Sequence, residues 1–134
     1  TDPQGTPLSG VEVDVWQASP VGLYENQDEN QADMNLRGKF TTGEDGRFWF
    51  RSVKPAGYPV PTGGPVGEML RAQNRHPYRP AHLHVLGFKP GYKTLITAGE
   101  GAPPAPDVEG PWYTLDYTFV MEPGEAKLPT PPIK

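Results

Sequence analysis

The sequence predicts an all-β fold, an antiparallel β-sandwich with one short helix and long loops, and three observations lead there. Apolar residues alternate with polar ones in several short runs, turn-forming residues separate those runs, and one stretch alone carries helical spacing. The 134 residues are enough for one core and too few for two, so 1–134 is expected to be a single domain. The 18 prolines and 16 glycines imply many turns and short elements.

The elements follow in chain order. Asp2-Pro3-Gln4-Gly5 is turn chemistry, and Val11, Val13 and Val15 then alternate with Glu12, Asp14 and Trp16, the pattern of a strand with one buried face. Pro20 to Asn35 is polar and aperiodic, a loop whose only bulky apolar pair is Leu23-Tyr24. Lys39 to Thr42 and Arg47 to Phe50 flank Gly43-Glu44-Asp45-Gly46, where Asp-Gly supplies the positive φ of a tight hairpin. A Pro/Gly-rich loop from Pro55 to Gly64 contains Tyr58. After it, Pro65 sits at a first helical turn before Val66, Met69, Leu70 and Gln73. Pro80 to Leu86, Tyr92 to Thr97 and Tyr113 to Met121 read as strands, the last a core strand with Tyr113, Leu115, Tyr117, Phe119 and Met121 on one face. Residues 98–111 read as a flexible connection and 129–134 as an extended tail.

Composition excludes several classes. A formal charge of −4 offers no basic footprint for nucleic acid, and no run approaches the roughly 20 apolar residues of a membrane span. The absence of cysteine removes disulfides, thiolate nucleophiles and cysteine-held metal clusters. No G-x-G-x-x-G fingerprint for a nicotinamide or flavin cofactor is present. These features are read as those of a soluble, cytoplasmic protein.

The chemistry concentrates around His82-Leu83-His84. In a strand, both imidazoles project from one face with their Cα atoms roughly 6.5 to 7 Å apart, close enough to share a metal, while Leu83 and Val85 point the other way. Arg75 to Ala81 leads into the pair, and Tyr24 and Tyr58 sit in loops that otherwise have no use for a large aromatic. Imidazole, phenolate and carboxylate are the donors available. Phenolate, whose proton normally leaves near pH 10, suits a strong, hard Lewis acid such as Fe(III), whereas zinc would favour a third histidine or a carboxylate.

At this point the sequence resembles the intradiol ring-cleavage dioxygenases, in particular their hydroxyquinol and catechol 1,2-dioxygenase branch. The resemblance rests on Val13-Asp14-Val15-Trp16-Gln17-Ala18 with Gly22-Leu23-Tyr24, Asn35-Leu36-Arg37-Gly38-Lys39-Phe40, Asp45-Gly46-Arg47-Phe48-Trp49-Phe50, Pro55-Ala56-Gly57-Tyr58-Pro59 and Arg79-Pro80-Ala81-His82-Leu83-His84, in the family's order. It implies Tyr24, Tyr58, His82 and His84 as ligands of one Fe(III). It also implies catalytic roles for Tyr58, as a ligand that yields to substrate, and for Arg79, as the active-site guanidinium. The implied reaction joins a small catecholic substrate and dioxygen and opens the ring between adjacent hydroxyls to a cis,cis-muconate. Gly57 to Pro61 and Gly64 to Gly67 look closest to the hydroxyquinol branch, which puts hydroxyquinol before catechol as substrate. His76, Tyr78, Tyr92, Tyr113 and Tyr117 are read as structural.

Two departures from the family stand out. Its helical N-terminal segment, with substrate-shaping residues and the contacts of a full-length homodimer, has no counterpart here. After Thr97, where the family has a catalytic glutamine or equivalent polar residue and two further strands, this chain passes to Ala98-Gly99-Glu100. The competing class is a non-enzymatic module: Gly5 to Val13 with Asp45 to Phe48 also resembles carboxypeptidase-regulatory and transthyretin-like sandwiches, and only the tyrosines and the histidine pair separate the two.

Overall fold

The computed structural model describes residues 1–100 and 114–128. Its centre is a four-stranded antiparallel sheet built from β1 (Glu12–Gln17), β2 (Arg37–Thr41), β5 (His82–Phe88) and β6 (Leu95–Glu100), in the order β2-β1-β5-β6. The short strands β3 (Tyr58–Pro59) and β4 (Tyr78–Arg79) pair as a separate ribbon, and one helix, α1, spans Pro65–Ala72. The antiparallel, strand-dominated architecture with a single helix is the fold class the sequence predicts.

Alternation divides the sheet into two faces. Val13 and Val15 of β1 and Val85 of β5 join Leu8, Val11 and Met121 in the buried core, with Phe40, Phe48, Phe50, Tyr92, Leu95 and Phe119 packed around them. The opposite face carries Trp16 and His84, which are Cα partners across β1 and β5. At its far end it carries Asp14, ion-paired to Lys39 at 3.1 Å. The buried face makes the β1–β5 register specific, because a slip of one residue would send Val85 to solvent and the histidines into the core.

Several elements differ from expectation. The turn at 43–46 forms, with Gly46 at φ 73° and Gly43 N–H donating to the Arg47 carbonyl at 3.0 Å, but residues 47–50 join no ladder. Aromatic packing holds them instead: the rings of Phe48 and Phe50 lie 6.0 and 5.3 Å from that of Phe40. The core strand expected up to Met121 is likewise corrected. Among residues 114–121 only Phe119 and Met121 turn inward, Leu115 and Tyr117 are exposed, and the backbone is held at single points, such as Met121 N–H to the Thr1 carbonyl. Tyr113 lies outside the described residues, as do 101–111 of the expected connection and the tail 129–134. Residues 98–100 belong to β6, so that strand runs past Thr97. The helix forms where Pro65 predicts, yet its Val66 and Met69 are exposed, and its one buried residue is Gly67, where a Cβ would meet the Thr62 carbonyl. Among the described residues no helix is long and apolar enough to cross a membrane.

Candidate metal centre

Three pieces of chain converge on the His-bearing face of β5. The first is the loop leaving β1, turned by Gly22 N–H donating to the Ser19 carbonyl at 2.9 Å, with Gly22 at φ 82°. Tyr24 follows this turn, its N–H donating to the Gln27 side chain at 3.1 Å and its carbonyl accepting from Gln27 N–H. The second is the segment 52–58, tied to the end of β1 by the buried Gln17, which donates to the Val53 carbonyl at 2.8 Å and accepts from Ser52 Oγ at 2.8 Å. The third is β4, whose Arg79 is the Cα partner of Tyr58 and stands just before His82. Two glycines permit this closeness: a Cβ on Gly22 would lie 3.0 Å from Tyr58 Cβ, and one on Gly57 would lie 2.9 Å from the Arg79 carbonyl.

The result is a continuous run of contacts among the residues singled out from sequence. Tyr24 Oη lies 2.8 Å from Tyr58 Oη and 2.9 Å from His84 Nε2, and His84 Nε2 lies 3.1 Å from His82 Nε2. Arg79 Nη1 donates to Tyr58 Oη at 3.1 Å, with the guanidinium carbon 5.9 Å from the centre of the Tyr58 ring. His82 is buried, and its Nδ1 donates to the Pro80 carbonyl at 2.7 Å, which aims Nε2 into the cluster. His76, Tyr78 and Tyr117 are exposed and Tyr92 packs against the core, so none of them joins the site.

Hydrogen counting shows what the cluster lacks. His84 Nε2 has two neighbours within hydrogen-bonding distance but carries either one hydrogen or one lone pair, so it can satisfy only one of them. His82 Nε2 has no hydrogen to offer while Nδ1 donates to Pro80. With a hydrogen on His84 Nε2, that one hydrogen is all that serves both the Tyr24 oxygen and the His82 lone pair; without it, two imidazole lone pairs meet at 3.1 Å, and a cation at that point would be met by every one of these donors. Two imidazoles and two phenols fit a hard metal ion as donors, and among the described residues no cluster of three His, Cys, Asp or Glu competes with them.

Burial tunes the donors. It pushes the Tyr24 phenol well above its ordinary value, helped by the hydrogen bond to Tyr58, with Arg79 and Arg37 acting in the opposite direction. Burial, then His82 and the two guanidiniums, lower His84 from 6.5 to about 4. Without metal, the site at neutral pH therefore presents a neutral His84 imidazole and a protonated Tyr24.

A stability prediction follows. Unfolded His84 takes up a proton below about pH 6.5, whereas the folded residue resists until about 4. Between those values the unfolded chain binds more protons, so stability must fall as pH falls. Urea midpoints of the metal-free protein should hold above pH 7 and decline from about 6.5 toward 4, with a shallower decline in His84→Gln. His84 is part-exposed, which keeps the effect modest. Parallel pH profiles for the two proteins would refute this origin.

Sequence reasoning missed three contributors. Trp16, whose alternation with Val13 and Val15 already put it on the site's face, stacks on His84 with ring centroids 4.8 Å apart and planes 4° from parallel. The Pro80 carbonyl had no side-chain signal. Arg37 is held by Glu25 at 2.9 Å, beside Tyr24, through a pairing that only the folded loop creates.

Comparison with known proteins finds ring-cleaving dioxygenases. A family model described as Dioxygenase matches residues 1–100. A hydroxyquinol 1,2-dioxygenase of a Rhizobium species is 56% identical over 97 residues, covering 72% of this chain and 33% of that protein. A catechol 1,2-dioxygenase of Candida albicans is 44% identical over 123 residues, covering 91% of this chain and 39% of that one. Among solved structures, the hydroxyquinol 1,2-dioxygenase of Pseudomonas putida superposes with a TM-score of 0.75 at 37% identity, over 92% of this chain and 54% of that chain. The chain thus spans between a third and two fifths of the length of these two curated relatives.

Proposed function

The chain belongs to the intradiol ring-cleavage dioxygenases, and from that premise we propose that 1–134 is a single catalytic sandwich holding one ferric iron with Tyr24, Tyr58, His82 and His84. Its reaction cleaves a catecholic ring between two adjacent hydroxyls, adding both atoms of dioxygen to give a cis,cis-muconate. The observation that carries the reading is the run of 2.8, 2.9 and 3.1 Å contacts that brings two phenol oxygens and two imidazole nitrogens together at one point.

Ferric iron held by these four residues would supply Lewis acidity toward the diol and redox chemistry toward dioxygen. The chain's residues do the rest. The Pro80 carbonyl fixes the tautomer and direction of His82. Tyr58, on a two-residue strand flanked by Gly57 and Val60, is the phenol that Arg79 reaches, and its Oη would take up a proton of the arriving diol. Arg79, already within 3.1 Å of that oxygen, faces the place where the ring carbon gains negative charge. Hydroxyquinol is the first substrate and catechol the second, a preference that rests on the likeness of Gly57 to Pro61 and Gly64 to Gly67 to the hydroxyquinol branch.

The test is ferric reconstitution followed by 1,2,4-trihydroxybenzene. The loaded protein should be red to purple through tyrosinate-to-iron charge transfer and should consume one dioxygen per ring opened. A colourless protein that retains no iron would overturn the reading and favour a non-enzymatic sandwich.

A further inference from the structure

We propose that Trp16 is the positioning residue for His84, holding the imidazole plane by stacking as the Pro80 carbonyl holds His82 by hydrogen bonding. This rests on the four-ligand reading only for its consequence at the metal.

The two histidines occupy alternate positions of one strand and turn their Nε2 atoms to the same point, yet they are restrained differently. His82 Nδ1 has an acceptor at 2.7 Å. His84 has hydrogen-bond contacts only at Nε2, from Tyr24 and His82, and its Nδ1 has no hydrogen-bond partner among the described residues. An imidazole held at one nitrogen can swing about its Cβ–Cγ bond, and such torsions have broad minima. What opposes the swing is a flat wall. Trp16 is directly opposite His84 in the β1–β5 ladder, and its ring lies parallel to the imidazole to within 4° at 4.8 Å. That separation is within the range of favourable aromatic stacking.

Among the described residues Trp16 takes no part in the apolar core. It lies on the face opposite Val13 and Val15. On its other side its Cα partner is Arg37, itself fixed to Glu25. Arg37, Trp16, His84 and Ala98 therefore form one row across all four strands, with the indole between a tethered cation and the ligand.

A group that orients a ligand without touching the metal typically changes metal affinity by about ten- to a hundredfold. Trp16→Leu removes the flat face, and Trp16→Phe keeps one. In the metal-free protein, the parent should show sharp His84 ring resonances shifted upfield by the indole. Trp16→Leu should broaden them while leaving His82 sharp, and Trp16→Phe should restore them. With ferric iron added, Trp16→Leu should bind about ten- to a hundredfold more weakly with a shifted charge-transfer band, and Trp16→Phe should stay within about threefold of the parent. A folded Trp16→Leu whose His84 resonances match the parent overturns the proposal, whether or not the protein takes iron. A parent that takes no iron sinks the four-ligand reading, and the metal-free spectra still decide the role of Trp16. If Trp16→Leu fails to fold, Trp16→Met, larger than leucine and without a flat face, carries the same comparison.

Discussion

His82→Ala should lose its iron while remaining folded. His82 is the most buried of the four proposed ligands, at 4% exposure, and its Nε2 is aimed by the bond from Nδ1 to the Pro80 carbonyl, so no neighbouring donor can replace it. Four-ligand sites bind on the order of 10 kcal/mol or more, so one ligand's share is about a quarter of that, or roughly a hundredfold in affinity. His84→Ala should behave alike. Tyr58→Phe should not: its ring can still pack beside Tyr24 and His82, and the loss is confined to one oxygen that also serves Arg79. It should keep a substantial share of the iron with weaker, shifted colour. Iron per protein after desalting, read beside a thermal melt, distinguishes these outcomes. A folded His82→Ala with full iron content would refute the ligand assignment.

The contrast between these variants also shows what was legible in the sequence. His82 and His84 were readable from residues alone, because a strand's period of two puts both on one face and the valine-rich pattern fixes which face is buried. Tyr24 and Tyr58 lie in stretches with no period, and Tyr58 is in fact on the two-residue strand β3; their setting marked them as unusual aromatics, but only the resemblance to a family gave them a role as ligands. Their approach depends on Gly22, Gly57 and the anchoring of Gln17, none of which advertises itself in a linear reading. Trp16 stood on the correct face by alternation, but its meeting with His84 depends on register, which pairs residue 16 with residue 84 and cannot be read from either segment alone. The misplaced strand near Met121 has a related cause. Alternation describes side chains and says nothing about whether the backbone finds a partner; beyond Phe119 and Met121, the expected inward face at Leu115 and Tyr117 stays exposed.

Arg79→Ala should stay folded, take up iron and bind catechols, yet turn over on the order of a hundredfold more slowly. Pro80 restricts Arg79 to extended backbone, and β4 pairs it with Tyr58, so the guanidinium is delivered to the mouth of the cluster by the chain itself. It cannot lose its charge, and it already donates to Tyr58 Oη at 3.1 Å. Arg79 is exposed, so it has little to contribute to the core. If it stabilises charge that appears on the ring only as the bond to dioxygen forms, its worth is realised in the transition state rather than in the bound substrate. Its removal should then lower kcat far more than it raises KM. One preorganised electrostatic contact of this kind is worth about 3 kcal/mol, which sets the hundredfold scale. Arg79→Lys restores the charge without the planar fork and should recover only part of the rate. Substrate binding, followed by the shift of the iron-tyrosinate band, should be nearly unchanged in both variants. A kcat for Arg79→Ala equal to the parent's would make Arg79 a surface cation that happens to neighbour Tyr58. A KM effect without a kcat effect would make it a substrate-binding group instead.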